Sequence, residues 1–100
     1  MATEPTPTPS SAAAAYRAAG PVPIDFTTVV LSLHESALIQ LGIKPDAAGF
    51  QRDLDGARAQ IDMLCVLAEK TRGNLSDDED RLVRSVLFEL QVAYVERAQA

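Results

Sequence analysis

The segment that decides the fold reads Lys70-Thr71-Arg72-Gly73-Asn74-Leu75-Ser76-Asp77-Asp78-Glu79. Lys70 and Arg72 place positive charge where a helix C-terminus is negative, and Gly73 can take the left-handed conformation that closes a helix. Ser76 can then cap a following helix, with Glu79 three residues later to complete a capping box. The segment therefore predicts two long helices folded back on each other. Its hinge residues are Gly73, Asn74, Ser76 and Glu79.

The composition is that of one small acidic domain. Of 100 residues, 5% are aromatic and none is Trp, so the core must come from Leu, Val, Ile and Ala. The net charge of −5 disfavours nucleic acid and anionic membranes as partners, because both attract basic surfaces. The single cysteine, Cys65, indicates a small core residue in a reducing compartment. We expect a soluble, cytoplasmic protein, because no apolar run approaches a membrane span and the N-terminus does not look like a signal peptide.

The chain divides into an N-terminal tail and one domain. Residues 1–23 are rich in Pro, Ala and Thr and are predicted to be a disordered tail. Apolar residues at helical spacing then predict a single helical domain over residues 24–100. Its three helices are expected at about 26–41 (helix A), 47–71 (helix B) and 77–97 (helix C). The fold class is all-α, with helices B and C forming a long antiparallel hairpin and helix A packed against it.

All three helices carry apolar residues beyond the stripe that a monomeric bundle needs. Leaving such residues in water forgoes about 1.5–3 kcal/mol for each large side chain, and large exposed apolar patches usually mark interfaces. The surplus predicts a symmetric homodimer, and the hinge is expected to bring Met63 and Leu67 of helix B near Phe88 and Val92 of helix C. Scattered exposed apolar residues, which are common on monomers, are the alternative. The candidate interface residues are Met63, Leu67, Phe88, Val92 and Val95 or, on the broad flank of helix A, Leu31 and Leu38.

No group of residues has the spacing of a catalytic or metal site. His34 and Glu35 are adjacent on a helix and point about 100° apart, so they do not face each other. His34 and Cys65 could share a ligand only if helices A and B brought them together, and two ligands make a poor zinc site. The acidic run that starts at Asp77 is explained by the positive end of a helix. We therefore predict no catalytic residue, no cofactor and no metal ligand.

The order of several motifs resembles a known family. Phe26-x-x-Val29-Val30-Leu31-Ser32-Leu33 is followed later by Leu67-x-Glu69-Lys70-Thr71-x-Gly73-Asn74-Leu75 and by a Leu-rich helix with Tyr94. This is similar to the short bacterial helical family catalogued as domain of unknown function eighteen-forty-four, over about Phe26 to Val95. The resemblance implies a small, cytoplasmic helical protein. It implies no activity, cofactor or catalytic residue, because the family has none established.

The sequence thus favours a non-enzymatic, homo-oligomeric module for protein–protein interaction or regulation. Its expected partner is a second copy of the chain, with another protein as an additional candidate and with neither nucleic acid nor membrane. The alternative is a small-molecule or metal-binding domain centred on His34 and Cys65. A third hypothesis, attachment to a membrane surface through helix A, is the weakest because that helix contains no Lys or Arg.

Overall fold

A computed structural model of the chain describes residues 8–20, 24–44 and 52–99. These ranges contain four α-helices and no strand. The all-α prediction is confirmed, but the helices number four rather than three. Within the described ranges, no helix combines the length and the apolar character needed to cross a membrane. The helices are α1 (Pro9–Ala19), α2 (Phe26–Gln40), α3 (Leu54–Lys70) and α4 (Asp77–Gln99).

The additional helix, α1, lies in the segment for which the sequence predicts a disordered tail. Its alanines have the highest helix propensity, and Pro9 stands in the first turn, where a missing N–H is harmless. The hydroxyl oxygen of Thr8 accepts a hydrogen bond from the N–H of Ser11 at 3.1 Å. No side chain of α1 is buried, and α1 packs against none of the other three helices described. Its support is therefore local, and residues 1–7 and 21–23 of the predicted tail lie outside the described residues.

The core is formed by α2 with its C-cap, α3 and α4, each of which contributes three buried apolar side chains. Their spacings of three, four and seven residues place each set on one face of its helix. Among the described residues, no polar or charged side chain is buried with them. The packed unit is therefore a bundle of these three helices. Its core residues are Val30, Ala37, Leu41, Ala57, Ile61, Leu64, Val83, Val86 and Leu90.

The start of α3 differs from the prediction. Residues 47–51 of predicted helix B lie outside the described residues, but Arg52 and Asp53 are described and are not helical. Asp53 is instead the N-cap, and its carboxylate accepts a hydrogen bond from the N–H of Gly56 at 3.0 Å. The N–H of Asp53 donates to the carbonyl oxygen of Gln40 at 2.7 Å. The sequence pattern missed this boundary because it gave more weight to apolar spacing than to a capping aspartate.

Both ends of α2 are closed by local hydrogen bonds. Asp25 is the N-cap, and its carboxylate accepts bonds from the backbone N–H and the hydroxyl of Thr28 at 2.8 and 2.7 Å. At the other end Gly42 has a φ of 78°. Its N–H donates to Ile39, and the N–H of Ile43 donates to Leu38, both at 3.0 Å. This pair of bonds is a Schellman motif, which satisfies carbonyl groups left free at a helix end.

The segment between α3 and α4 reverses the chain. The N–H of Asn74 donates to the carbonyl oxygen of Thr71 at 2.9 Å, and Gly73, third in this turn, has a φ of 86°. A positive φ at the third position is what a type II turn requires. The N–H of Ser76 then donates to the Glu79 carboxylate at 2.9 Å, and the N–H of Glu79 donates to the Ser76 hydroxyl at 3.2 Å. These reciprocal bonds form a capping box.

Contacts between the helices give their directions. Arg58, early in α3, lies over the ring of Tyr94, late in α4, whereas Cys65 contacts Gln91, which comes earlier in α4. Positions that rise along α3 thus meet positions that fall along α4, and the two helices are antiparallel. The end of α2 meets the start of α3 and the two helices pack against each other, so consecutive helices alternate in direction. Helices α2 and α4 therefore run the same way.

We expect Gly73→Ala to lower the free energy of unfolding by about 1–2 kcal/mol, because a Cβ disfavours positive φ. Steric crowding is not the reason, since an added Cβ would meet no atom within 4 Å. Urea denaturation followed by circular dichroism measures the loss. Gly73→Asn is the matched control and should lose less, because Asn tolerates this conformation best after Gly. Equal losses for the two variants would contradict the explanation.

We also expect Asp25 to make the stability depend on acid pH. The hydrogen bond from the Thr28 hydroxyl, and to a smaller extent the one from the Thr28 backbone N–H, lowers the pKa of Asp25. The carboxylate of Asp25 therefore binds a proton less tightly in the folded state than in the unfolded chain. The stabilisation is present above about pH 4 and is lost as the pH falls through the lowered pKa. Asp25→Asn keeps a good N-cap but cannot ionise. The unfolding free energy of this variant should therefore fall less between pH 7 and pH 3 than that of wild type. An equal fall in the two proteins would refute this role of Asp25.

Candidate functional site

The structure places the predicted interface residues in two different environments. Leu38 and Leu67 are half-buried and pack against the core, so they serve the bundle itself. The other five are exposed, and Phe88 is the most exposed of them, with 71% of its surface accessible. The exposed members are Leu31, Met63, Phe88, Val92 and Val95.

One set of exposed residues follows a single face of α4. Phe88, Val92 and Val95 are spaced four and three residues apart, which aligns them along the helix on the side away from its buried row. With Gln91 and Glu96 they line a shallow, mostly apolar groove of about 330 Å³. We call this surface the α4 groove. It is a continuous apolar surface rather than isolated exposed residues.

A second depression lies beside the groove, between α3 and α4. It has a volume of about 200 Å³, and we call it the α3–α4 cavity. Gln91 and Val95 line both the cavity and the α4 groove, so the two depressions are adjacent. The cavity is lined by Arg58, Ile61, Asp62, Gln91, Tyr94 and Val95.

Arg58 is held over this cavity by two neighbours. Its guanidinium carbon lies 5.4 Å from the centre of the Tyr94 ring, a distance typical of a cation–π contact. Its Nε lies 3.5 Å from a carboxylate oxygen of Asp62, one helical turn further along α3. Contact with Tyr94, and secondly the charge of Asp62, raise the pKa of Arg58 above its ordinary value. The cavity therefore combines a cation with the apolar side chain of Ile61, which is buried.

Met63 and Leu67 do not join this surface. Cys65 faces α4, because the Gln91 side chain contacts its sulfur at 3.8 Å. Met63 and Leu67 each lie two residues from Cys65 and therefore point roughly 160° away from it around α3. Neither residue lines the groove or the cavity. The expected meeting of Met63 and Leu67 with Phe88 and Val92 is therefore not seen within one copy of the chain.

His34 and Cys65 are also kept apart. Nε2 of His34 lies 3.3 Å from the carboxylate of Glu89, whereas Cys65 contacts Gln91. Glu89 and Gln91 are two residues apart on α4 and point roughly 160° apart, so His34 and Cys65 meet different flanks of that helix. In the described part of the chain, no group of three or more His, Cys, Asp or Glu side chains is placed to hold a metal ion. The structure gives no geometric support to a shared site.

Sequence reasoning did not single out the cavity. Two features of the sequence pointed toward it: Arg58 and Asp62 lie at helical pair spacing, and Tyr94 lies in the main apolar stripe of α4. Neither feature says that α3 and α4 bring these side chains together, because helical spacing fixes directions only within one helix. The arrangement can bind an apolar or aromatic side chain beneath a cation.

The comparisons with known proteins bear on the family. No curated protein and no solved structure matches the chain. The family model described as domain of unknown function (DUF1844) matches residues 23–96, which include all of α2, α3 and the buried row of α4 and leave out α1. The resemblance expected from the hinge segment and its neighbours is thus confirmed. The chain belongs to the DUF1844 family.

Proposed function

We propose that the protein is a non-enzymatic interaction module that works as a homodimer, with the α4 groove as its seam. The observation that carries this proposal is the exposed row of Phe88, Val92 and Val95. The buried row of α4 already completes the core with side chains from α2 and α3. The exposed row is therefore surplus to the folding of one copy.

Burial of this row would be strongly favourable. Removing a large apolar side chain from water stabilises by about 1.5–3 kcal/mol, and a two-fold dimer buries each of the three residues twice. Small bundles such as this one bury a limited fraction of their surface and are marginal alone. Association of two copies thus adds to a core that a 100-residue chain cannot enlarge by itself.

Charges beside the groove favour an antiparallel pairing of the two α4 helices. Arg84 lies one turn before Phe88, and Glu96 lies one turn after Val92. When Phe88 of one copy packs on Val92 of the second, Arg84 of each copy comes opposite Glu96 of the other. The antiparallel arrangement is also the self-complementary interface of a two-fold dimer.

Arg84 is available for this contact. Its Nε lies 3.0 Å from a carboxylate oxygen of Asp80 in the same helix, and the Arg84 side chain is 78% exposed. Exposed ion pairs of this kind contribute little to stability. If Arg84 leaves Asp80 and pairs with Glu96 of a second copy, the fold therefore loses little stability.

The proposal retains the location and role expected from the sequence. A cytoplasmic protein would keep Cys65 reduced, in agreement with its position as a free, half-buried thiol. The dimer would act as an adaptor or a regulatory subunit whose further partner is another protein. Co-purification from native cells tests that part, and recovery of the protein alone would weaken it.

We expect the wild-type chain to sediment as a dimer at micromolar concentration and Val92→Asp to sediment as a monomer. The introduced carboxylate would lie unpaired in the seam, and burial of an unpaired charge is strongly unfavourable. Val66→Asp is the matched control, because Val66 is an exposed valine of α3 that lines neither the groove nor the cavity. A monomeric wild type, or equal weakening by both variants, would contradict the proposed seam.

We further expect single charge reversals to weaken the dimer and the double reversal to restore it. Arg84→Glu opposes Glu96 with a like charge, and Glu96→Arg opposes Arg84 in the same way. The two changes combined recreate opposite charges, and the expected weakening of each single variant is about two- to tenfold in Kd. Sedimentation equilibrium at low salt measures all three variants. Losses that simply add in the double variant would exclude the antiparallel pairing.

A further inference from the structure

We infer that Phe88 of each copy inserts its ring into the α3–α4 cavity of the other copy, beneath Arg58. The inference rests on the proposed dimer and names the side chain that anchors it. It assigns the cavity to a second copy of this chain rather than to a small molecule. Each interface would then contain two identical ring-and-cavity contacts.

The size of the cavity fits an aromatic ring. Its volume is about 200 Å³, and an engineered apolar cavity of about 150 Å³ in another protein is known to bind benzene. Phe88 is 71% exposed, although a large aromatic side chain gains most from burial. An exposed ring and an open cavity of matching size thus lie on the same side of the molecule.

The positions along α4 also match. Val95 lines both the groove and the cavity, and it lies seven residues from Phe88, or about 10.5 Å along the helix. In the antiparallel register that places Arg84 opposite Glu96, Phe88 of the second copy lies opposite Val92, about 4.5 Å along the helix from Val95. Its side chain leans toward Val95, because side chains tilt toward the N-terminus of their own helix. The two-fold axis repeats the same contact on the other side. Each of the two rings then occupies one of the two cavities of the dimer.

The chemistry of the cavity favours an aromatic occupant. Arg58 already stacks over Tyr94 at 5.4 Å, and a second ring on its free face would give the guanidinium two aromatic neighbours. Ile61 contributes apolar atoms to the lining, and a carboxylate oxygen of Asp62 lies 3.5 Å from Nε of Arg58. An aliphatic side chain would fill the space but would make no cation–π contact.

The test uses two complementary variants of the full chain, studied alone and mixed. Phe88→Ala removes the ring and keeps the cavity open. Asp62→Trp fills the cavity from an exposed position and keeps the ring. Each variant alone should dimerise about 100-fold more weakly than wild type, because each dimer loses two contacts and truncating a buried interface aromatic costs about tenfold or more. Tyr16→Ala, which removes an exposed aromatic residue of α1, is the control and should leave Kd unchanged.

The mixture gives the decisive result. A mixed dimer pairs the ring of the Asp62→Trp chain with the open cavity of the Phe88→Ala chain, so it should form about tenfold more tightly than either variant dimer. Wild-type affinity in Phe88→Ala would overturn the inference and also remove Phe88 from the proposed seam. A mixture no tighter than its components would overturn the inference alone and leave the dimer intact. A monomeric wild type would overturn both. Equal weakening by Tyr16→Ala would also overturn the inference, because the loss of an exposed ring outside the cavity would then have the same effect.

Discussion

Each of the three packed helices contributes three apolar side chains to one core. Among the described residues, no polar or charged side chain is buried in that core. Leu41, Leu64 and Leu90 are its largest fully buried members. Since all three rows must meet at the same time, the helices need fixed lengths and fixed relative positions. The hydrogen-bonded ends of α2, α3 and α4 supply both. The fold is thus a small apolar core whose geometry is set by the caps around it.

The alternation of helix directions decides which surfaces can act together. The side of α3 that carries Cys65 faces α4, and the side that carries Met63 and Leu67 lies roughly opposite. On α4, Glu89 faces His34 of α2 while Gln91 faces α3. Residues that are close in sequence are therefore assigned to different flanks. The proposed interaction surface follows from this assignment, because the outer row of α4 and the cavity beside it belong to one flank.

Helical periodicity and capping residues predicted the packed helices well. The apolar spacing of α2 and α4 and the hinge from Gly73 to Glu79 are local features, and local features can be read from sequence. The start of α3 was missed because Asp53 caps a helix within a segment that also has helical spacing. The helix α1 was missed because prolines outweighed an alanine run that needs no partner.

The candidate site was less predictable, for a physical reason. Exposure of Phe88, Val92 and Val95 follows from their angle to the buried row of α4, and the sequence does indicate that angle. The residues that lie beside that row cannot be derived from the sequence in the same way, because they depend on which flank of α3 faces α4. The same limit explains why Leu38 and Leu67 were grouped with the interface although both pack against the core.

The isolation of α1 has a consequence for how the chain can vary. The family match begins at residue 23, and the first packed helix begins at Phe26, so the limit of the family and the limit of the packed unit nearly coincide. Nothing in α1 is buried, and changes there carry no penalty in core packing. The bundle is therefore a self-contained module that can carry unrelated N-terminal extensions.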